Sequence, residues 1–156
     1  MEYIIKKATP VDLPLLKELF DYNDISAMIE ENTRNILNGT IDIFLLFGDE
    51  KPLGELHVKY ESEDEREAVR GRRVYLFAFR IREEYQGRGL GKRLLQSVID
   101  TLCEQGCSEF TVGVEDDNDR ARHIYERFCF DKVIARKYEE YQGDGYEYDL
   151  LLKKME

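Results

Sequence analysis

Tyr85-Gln86-Gly87-Arg88-Gly89-Leu90-Gly91-Lys92 stands between an apolar run, Val74 to Ile81, and an amphipathic run, Leu94 to Leu102. A strand that turns through three glycines into a helix leaves the first backbone N–H groups of that helix unpaired and within reach of an anion. Alternate glycines remove side chains that would hold a diphosphate away, and Arg88, Lys92 and Arg93 bring positive charge. Two familiar loops do not fit. A Walker A loop needs Gly where Gln86 stands and Ser or Thr where Arg93 stands, and the dinucleotide fingerprint meets Lys92 or Leu94 in place of its third glycine. The remaining readings are a strand-to-helix turn without a ligand and a phosphate cradle of another kind.

The spacing Gln86-x-x-Gly89-x-Gly91 after an apolar strand resembles the acyl-CoA diphosphate motif of the GNAT superfamily of N-acetyltransferases. Downstream, Asn118-x-x-Ala121-x-x-x-Tyr125 followed by Phe128-Cys129-Phe130 is similar to a second signature of that family. The resemblance is strongest from Val74 to Phe130 and only general in the N-terminal part. It implies an α/β (α+β) domain with a mixed, mostly antiparallel central sheet of about seven strands, two of them splayed, flanked by about four helices. It also implies acetyl-CoA as cosubstrate. Gln86, Gly87, Arg88, Gly89, Leu90, Gly91 and Lys92 would hold the diphosphate. The backbone of Phe79, Arg80 and Ile81 would pair with the pantetheine amides, near Asn118 and Tyr125.

Composition bounds the rest. At 156 residues with 42% apolar and 36% charged residues, one globular domain over 1–156 is expected, and no apolar run reaches the length of a membrane span. The first residues show no basic-then-apolar leader, so a cytoplasmic location is expected. A net charge of −10 argues against nucleic-acid binding, which needs a basic face. Three cysteines make no disulfide framework; Cys103 and Cys107 read as buried or partly buried thiols, and no metal is expected.

In chain order, Tyr3 to Lys7 alternates as a strand, and Thr9-Pro10-Val11-Asp12 opens a helix with Leu13, Leu16, Leu19 and Phe20 on its apolar face. A second helix is predicted from about Ile25 to Leu37, and a hairpin from Ile41 to Phe47 and Gly54 to Tyr60. The charge run Glu61 to Glu67 reads as a solvated loop, with an amine-attracting mouth as the alternative. Strict alternation along Val74 to Ile81 puts Tyr75, Phe77 and Phe79 on one face and Leu76, Ala78 and Arg80 on the other. A helix from about Gly91 to Gln105, a strand Phe110 to Val114, a helix after Asn118, and strands Lys132 to Tyr141 and Tyr146 to Lys153 around Gln142-Gly143-Asp144-Gly145 complete the order.

Amide formation from a thioester needs a neutral amine, with an ordinary pKa near ~10.4, and a proton for a thiol with one near ~8.5, so a base and an acid are separate requirements. By resemblance Tyr125 is the acid. The family's usual carboxylate positions fall here on Tyr75 and Gly113, which leaves Glu115, Glu55 and His57, or a held water, as candidate bases. No Cys–His arrangement suggests a covalent intermediate. The expected activity is acetyl transfer to a primary amine of a small molecule or peptide, without nucleic-acid or membrane partners; a homodimer is a family habit. A non-catalytic acyl-CoA sensor, or use of another acyl-CoA, is the alternative.

Overall fold

A computed structural model describes residues 1–155. Its strands are β1 (Tyr3–Lys7), β2 (Ile41–Gly48), β3 (Lys51–Lys59), β4 (Arg73–Ile81), β5 (Glu109–Glu115), β6 (Lys132–Tyr141) and β7 (Asp144–Lys154). The helices are α1 (Ile25–Leu37), α2 (Leu90–Glu104) and α3 (Asp119–Arg127), with 3₁₀ segments at Pro10–Glu18 and Glu83–Tyr85. One seven-stranded sheet runs β1-β2-β3-β4-β5-β7-β6, antiparallel except for the parallel pair β4 and β5.

Both faces of the sheet are covered. Leu94, Leu95, Val98, Ile99 and Leu102 of α2 pack with Leu56, Val74, Leu76, Phe110 and Phe130 on one face. On the other, Leu13, Leu16 and Met28 cover Ile41, Ile43 and Leu45. β2 supplies Phe44 and Leu46 to the first core and Ile43 and Leu45 to the second, which explains its unbroken apolar run.

The first helix departs from the expected form. It is capped by Thr9 and Asp12 as the sequence indicates, but it is 3₁₀ and ends at Glu18, because Pro14 inside it has no N–H to donate. Phe20 therefore lies beyond the helix, edge-on to Tyr22 at 4.9 Å between centroids. The closing hairpin turns on Gln142 and Gly143 alone, with φ of 51° and 89°, so β7 starts at Asp144, within the expected turn. Cys129 adopts φ 67°, the left-handed conformation of a helix exit in which the Phe130 N–H donates to the Tyr125 carbonyl at 3.0 Å, and it is exposed whereas Cys107 is buried.

The charge run is not merely solvated. Glu67 is buried, accepting from Lys59 at 3.3 Å, Ser62 at 3.1 Å and Lys137 of β6 at 2.8 Å, while Lys137 also donates to Asp64 at 2.8 Å. Hydrogen bonds from Arg66 and Lys137 hold the Asp64 carboxyl well below the usual carboxylate range against a raising contribution from burial. Because folding depresses this group, its stabilisation is present above the ordinary Asp value near ~3.9 and is lost as pH falls toward its folded value. Lys137→Met is therefore expected to cost about 1–3 kcal/mol at pH 7. In urea titrations that difference should shrink below pH ~4; a difference independent of pH would contradict the ionic account.

Candidate active site

After Ile81 the chain turns through Gly87 and Gly89, at φ 81° and 79°, and Gly89 caps α2. A Cβ at either glycine would meet nothing within 4 Å, so the left-handed backbone, not crowding, requires glycine there. The N–H of Arg93 donates to the Gly89 carbonyl at 3.1 Å, and those of Leu90, Gly91 and Lys92 point out of the helix end. Gln86 Nε2 donates to the Ile81 carbonyl at 2.9 Å, and Arg120 of α3 donates to Gln86 Oε1 at 2.7 Å.

The basic island differs from the expected one. Lys92 and Arg120 line the cleft in front of the helix end. Arg88 lies over the Tyr85 ring, 5.0 Å from its centroid, and Arg93 over Tyr3 at 5.4 Å, and neither lines the cleft.

The cleft, about 1750 Å³, opens where β4 and β5 part. Their pairing runs from Arg73 with Glu109 to Leu76 with Val112 and goes no further, while β5 stays paired with β7 as far as Glu115 with Tyr148. The β4 edge from Phe77 to Ile81 thus faces the cleft without a strand partner on that side, as the splayed-strand expectation required. Asn118 caps α3 by accepting from the Ala121 N–H at 3.1 Å. Tyr125 packs between Phe79 and Phe130, at 6.4 and 5.6 Å between centroids, and lines the cleft. Burial alone pushes its phenol well above the ordinary value.

On the opposite face a bulge changes the expected alternation. Glu55 pairs with Arg80 but His57 with Phe77, so β4 carries one extra residue, and Ala78 takes φ 49°. Beyond it the faces exchange: Phe79 and Ile81 join Leu76 on the α2 face, whereas Arg80 turns to the face of Tyr75 and Phe77. There Arg80 stacks on Phe20 at 3.6 Å and donates from Nη1 to the Tyr22 hydroxyl at 3.2 Å and Glu55 Oε1 at 3.4 Å. The same oxygen accepts from Tyr22 at 3.0 Å and lies 2.6 Å from His57 Nε2.

Glu55 is wholly buried, its Oε2 has no partner among the described residues, and it does not line the cleft. Glu55, one of the candidate bases, thus lies behind the cleft wall, and His57, itself only 4% exposed, stands between it and the cleft. His57, Tyr22 and Arg80 do line the cleft, as does half-buried Glu115. At Gly113 a Cβ would sit 2.7 Å from the Tyr148 ring and 3.3 Å from the Tyr75 hydroxyl, so those tyrosines fill the space a side chain there would need. Asp24, Glu31 and Glu139 add negative charge. The hairpin tip closes this end: Gln142 accepts from the Asn23 N–H at 2.8 Å and donates to the Asp21 carbonyl at 3.2 Å.

Sequence reasoning missed Arg120, whose only signal is its place two residues after Asn118, and Tyr22. It named Glu55 and His57 separately, although their spacing puts both on one face of β3. Among the described residues no group of three or more His, Cys, Asp or Glu is placed to hold a metal ion, and no helix is long and apolar enough to cross a membrane.

The fold and cleft define an acyltransferase-like class, and comparison gives the family. The model of the acetyltransferase (GNAT) family matches residues 14–130. The chain is similar to thialysine N-epsilon-acetyltransferase of Bos taurus, 33% identical over 57 residues, which are 36% of this chain and 34% of that protein. It is also similar to spermine/spermidine N(1)-acetyltransferase of Bacillus subtilis, 41% identical over 59 residues, 37% of this chain and 39% of that protein. The match thus spans 34% to 39% of the length of these curated relatives. Among solved structures, yncA of Salmonella typhimurium, a putative acetyltransferase solved with its cofactor acetyl-CoA, superposes with a TM-score of 0.75 at 17% identity, covering 100% of this chain and 95% of that one. The chain belongs to the GNAT acetyltransferase family.

Glu55→Ala removes the acceptor shared by Tyr22, His57 and Arg80. It is expected to cost about 3–5 kcal/mol in urea unfolding; a cost below about 1 kcal/mol would mean the cluster is not formed in solution.

Proposed function

We propose that the protein is an N-acetyltransferase that moves the acetyl group of acetyl-CoA directly to a primary amine, acting as a single domain in the cytoplasm. The observation that carries this reading is the open β4 edge running straight into the uncovered N-terminus of α2. An anion of the size and charge of a diphosphate suits those amides, with Lys92 and Arg120 beside them. The cleft-side edge of β4 along Phe79, Arg80 and Ile81 offers donors and acceptors to an amide-bearing arm, as an edge strand does to a peptide. When bound, acetyl-CoA supplies an activated acetyl group as a thioester.

Tyr125 is then the acid. With its ionisation raised by burial, its hydroxyl holds its proton at neutral pH and gives it to the departing sulfur. The acidic and aromatic lining at the Tyr141 and Glu139 end suits a cationic amine, and the relatives' names, for thialysine and for spermine and spermidine, agree with such an acceptor. A CoA-thiol release assay across polyamines, lysine-like amino acids and peptide N-termini tests the activity. Acetyl-CoA binding without release by any amine would favour the sensor reading.

Gly89→Asp places a side chain on a left-handed cap and a negative charge at the helix end. It is expected to weaken CoA binding by at least ~10-fold in calorimetry; unchanged affinity would remove the cradle. Tyr125→Phe is expected to lower kcat by ~100-fold with little change in acetyl-CoA affinity; full activity would remove its acid role.

A further inference from the structure

Resting on the transferase reading, we infer that His57 is the group that takes the acceptor amine's proton, and that Glu55 is the positioning residue that holds it ready. Tyr75 and Gly113 stand where the family resemblance implies a carboxylate, and the Tyr148 ring and Tyr75 hydroxyl fill the space beside Gly113. The bulge at Ala78 builds a candidate base on β3. By turning Arg80 onto the face of β3 that carries Glu55 and His57, it brings a guanidinium against a carboxylate that is otherwise sealed from water. A buried carboxylate stays ionised only with such partners.

The Glu55 carboxyl oxygen accepts from His57 at Nε2, 2.6 Å away, which fixes the tautomer and leaves Nδ1 as the ring's acceptor. His57 lines the cleft and Glu55 does not, so the imidazole meets the amine and the carboxylate steadies the imidazolium that forms. Tyr22 touches the same carboxylate oxygen, but burial and Glu55 itself push its ionisation well up, so it remains a donor. Glu115 faces the cleft without a hydrogen-bonding group to orient it among the described residues.

The transfer balances as follows. The nitrogen lone pair of the neutral amine forms the new N–C bond, and one N–H bond breaks with its proton passing to His57 Nδ1. The C–S bond breaks with its electron pair on sulfur, which takes the proton of Tyr125. A proton returning from His57 to Tyr125 through solvent restores the starting state. The charged and titratable groups around His57 are Glu55 and Lys59 on its own strand, Tyr75 and Arg80 on β4, and Tyr22 before α1; Glu115 and Glu139 share the cleft.

The chain has only two histidines, His57 and His123, so ring nitrogens can be followed by nitrogen NMR, with His123→Gln giving the assignment. The wild-type protein is expected to show His57 protonated at Nε2, and Glu55→Gln to lose that preference. With the amine that releases thiol fastest in the panel, His57→Gln should lower kcat by about 100-fold while calorimetric acetyl-CoA affinity stays unchanged. Glu55→Gln should shift the acid limb of the kcat/KM profile to lower pH, and Glu55→Asp should restore part of the lost rate. Wild-type turnover in His57→Gln, an Nδ1-protonated His57, or a loss confined to Glu115→Gln would each overturn this role and leave the transferase reading intact. A wild-type protein that binds acetyl-CoA yet releases no thiol with any amine would overturn both.

Discussion

The parting of β4 from β5 after Leu76 and Val112 is the constraint on which the rest of the molecule depends. Inside a sheet, each backbone amide is committed to a neighbouring strand, and a ligand can claim it only if that neighbour leaves. Here β5 continues along β7, while β4 bends at its bulge and runs on toward the glycine turn with only β3 beside it. The protein exposes polar backbone in its centre yet keeps the strand fixed, because β3 still holds the other edge through Gly54 with Ile81 and Glu55 with Arg80. Rigidity and availability come from opposite edges of one strand.

The same bulge connects the two ends of the cleft. It places Phe79 against Tyr125 on the α2 side and Arg80 against Glu55 on the other. An unbulged β4 would point Arg80 into the apolar core and leave the buried Glu55 carboxylate without its cation, so a single extra residue reconciles an apolar core with a charged cluster one strand away. The hairpin tip, tied by Gln142 to the segment around Asp21 and Asn23, closes the acceptor end by hydrogen bonds from residues more than a hundred positions apart in the chain.

Much of this was legible in the sequence because it is local. The caps at Thr9 and Asn118, the apolar stripe of α2 and the glycines at 87 and 89 each act through near neighbours, and the two motifs located the cleft. What stayed hidden was tertiary. A period-two reading of β4 has no means of placing a bulge, so it assigned Phe79 and Arg80 to each other's faces. Counting cations around the turn picks out Arg88, Lys92 and Arg93 but has no means of finding Arg120, which arrives from α3 and lines the cleft with Lys92. The charge run after Tyr60 looked solvated because its partner Lys137 lies on a distant strand.

Amide hydrogen exchange with and without CoA tests the central claim most directly. Phe79, Ile81 and the amides from Gly87 to Lys92 are expected to slow together on adding CoA, while those of β6 keep their rates. Unchanged exchange along β4 and the turn, with protection appearing elsewhere, would contradict the account.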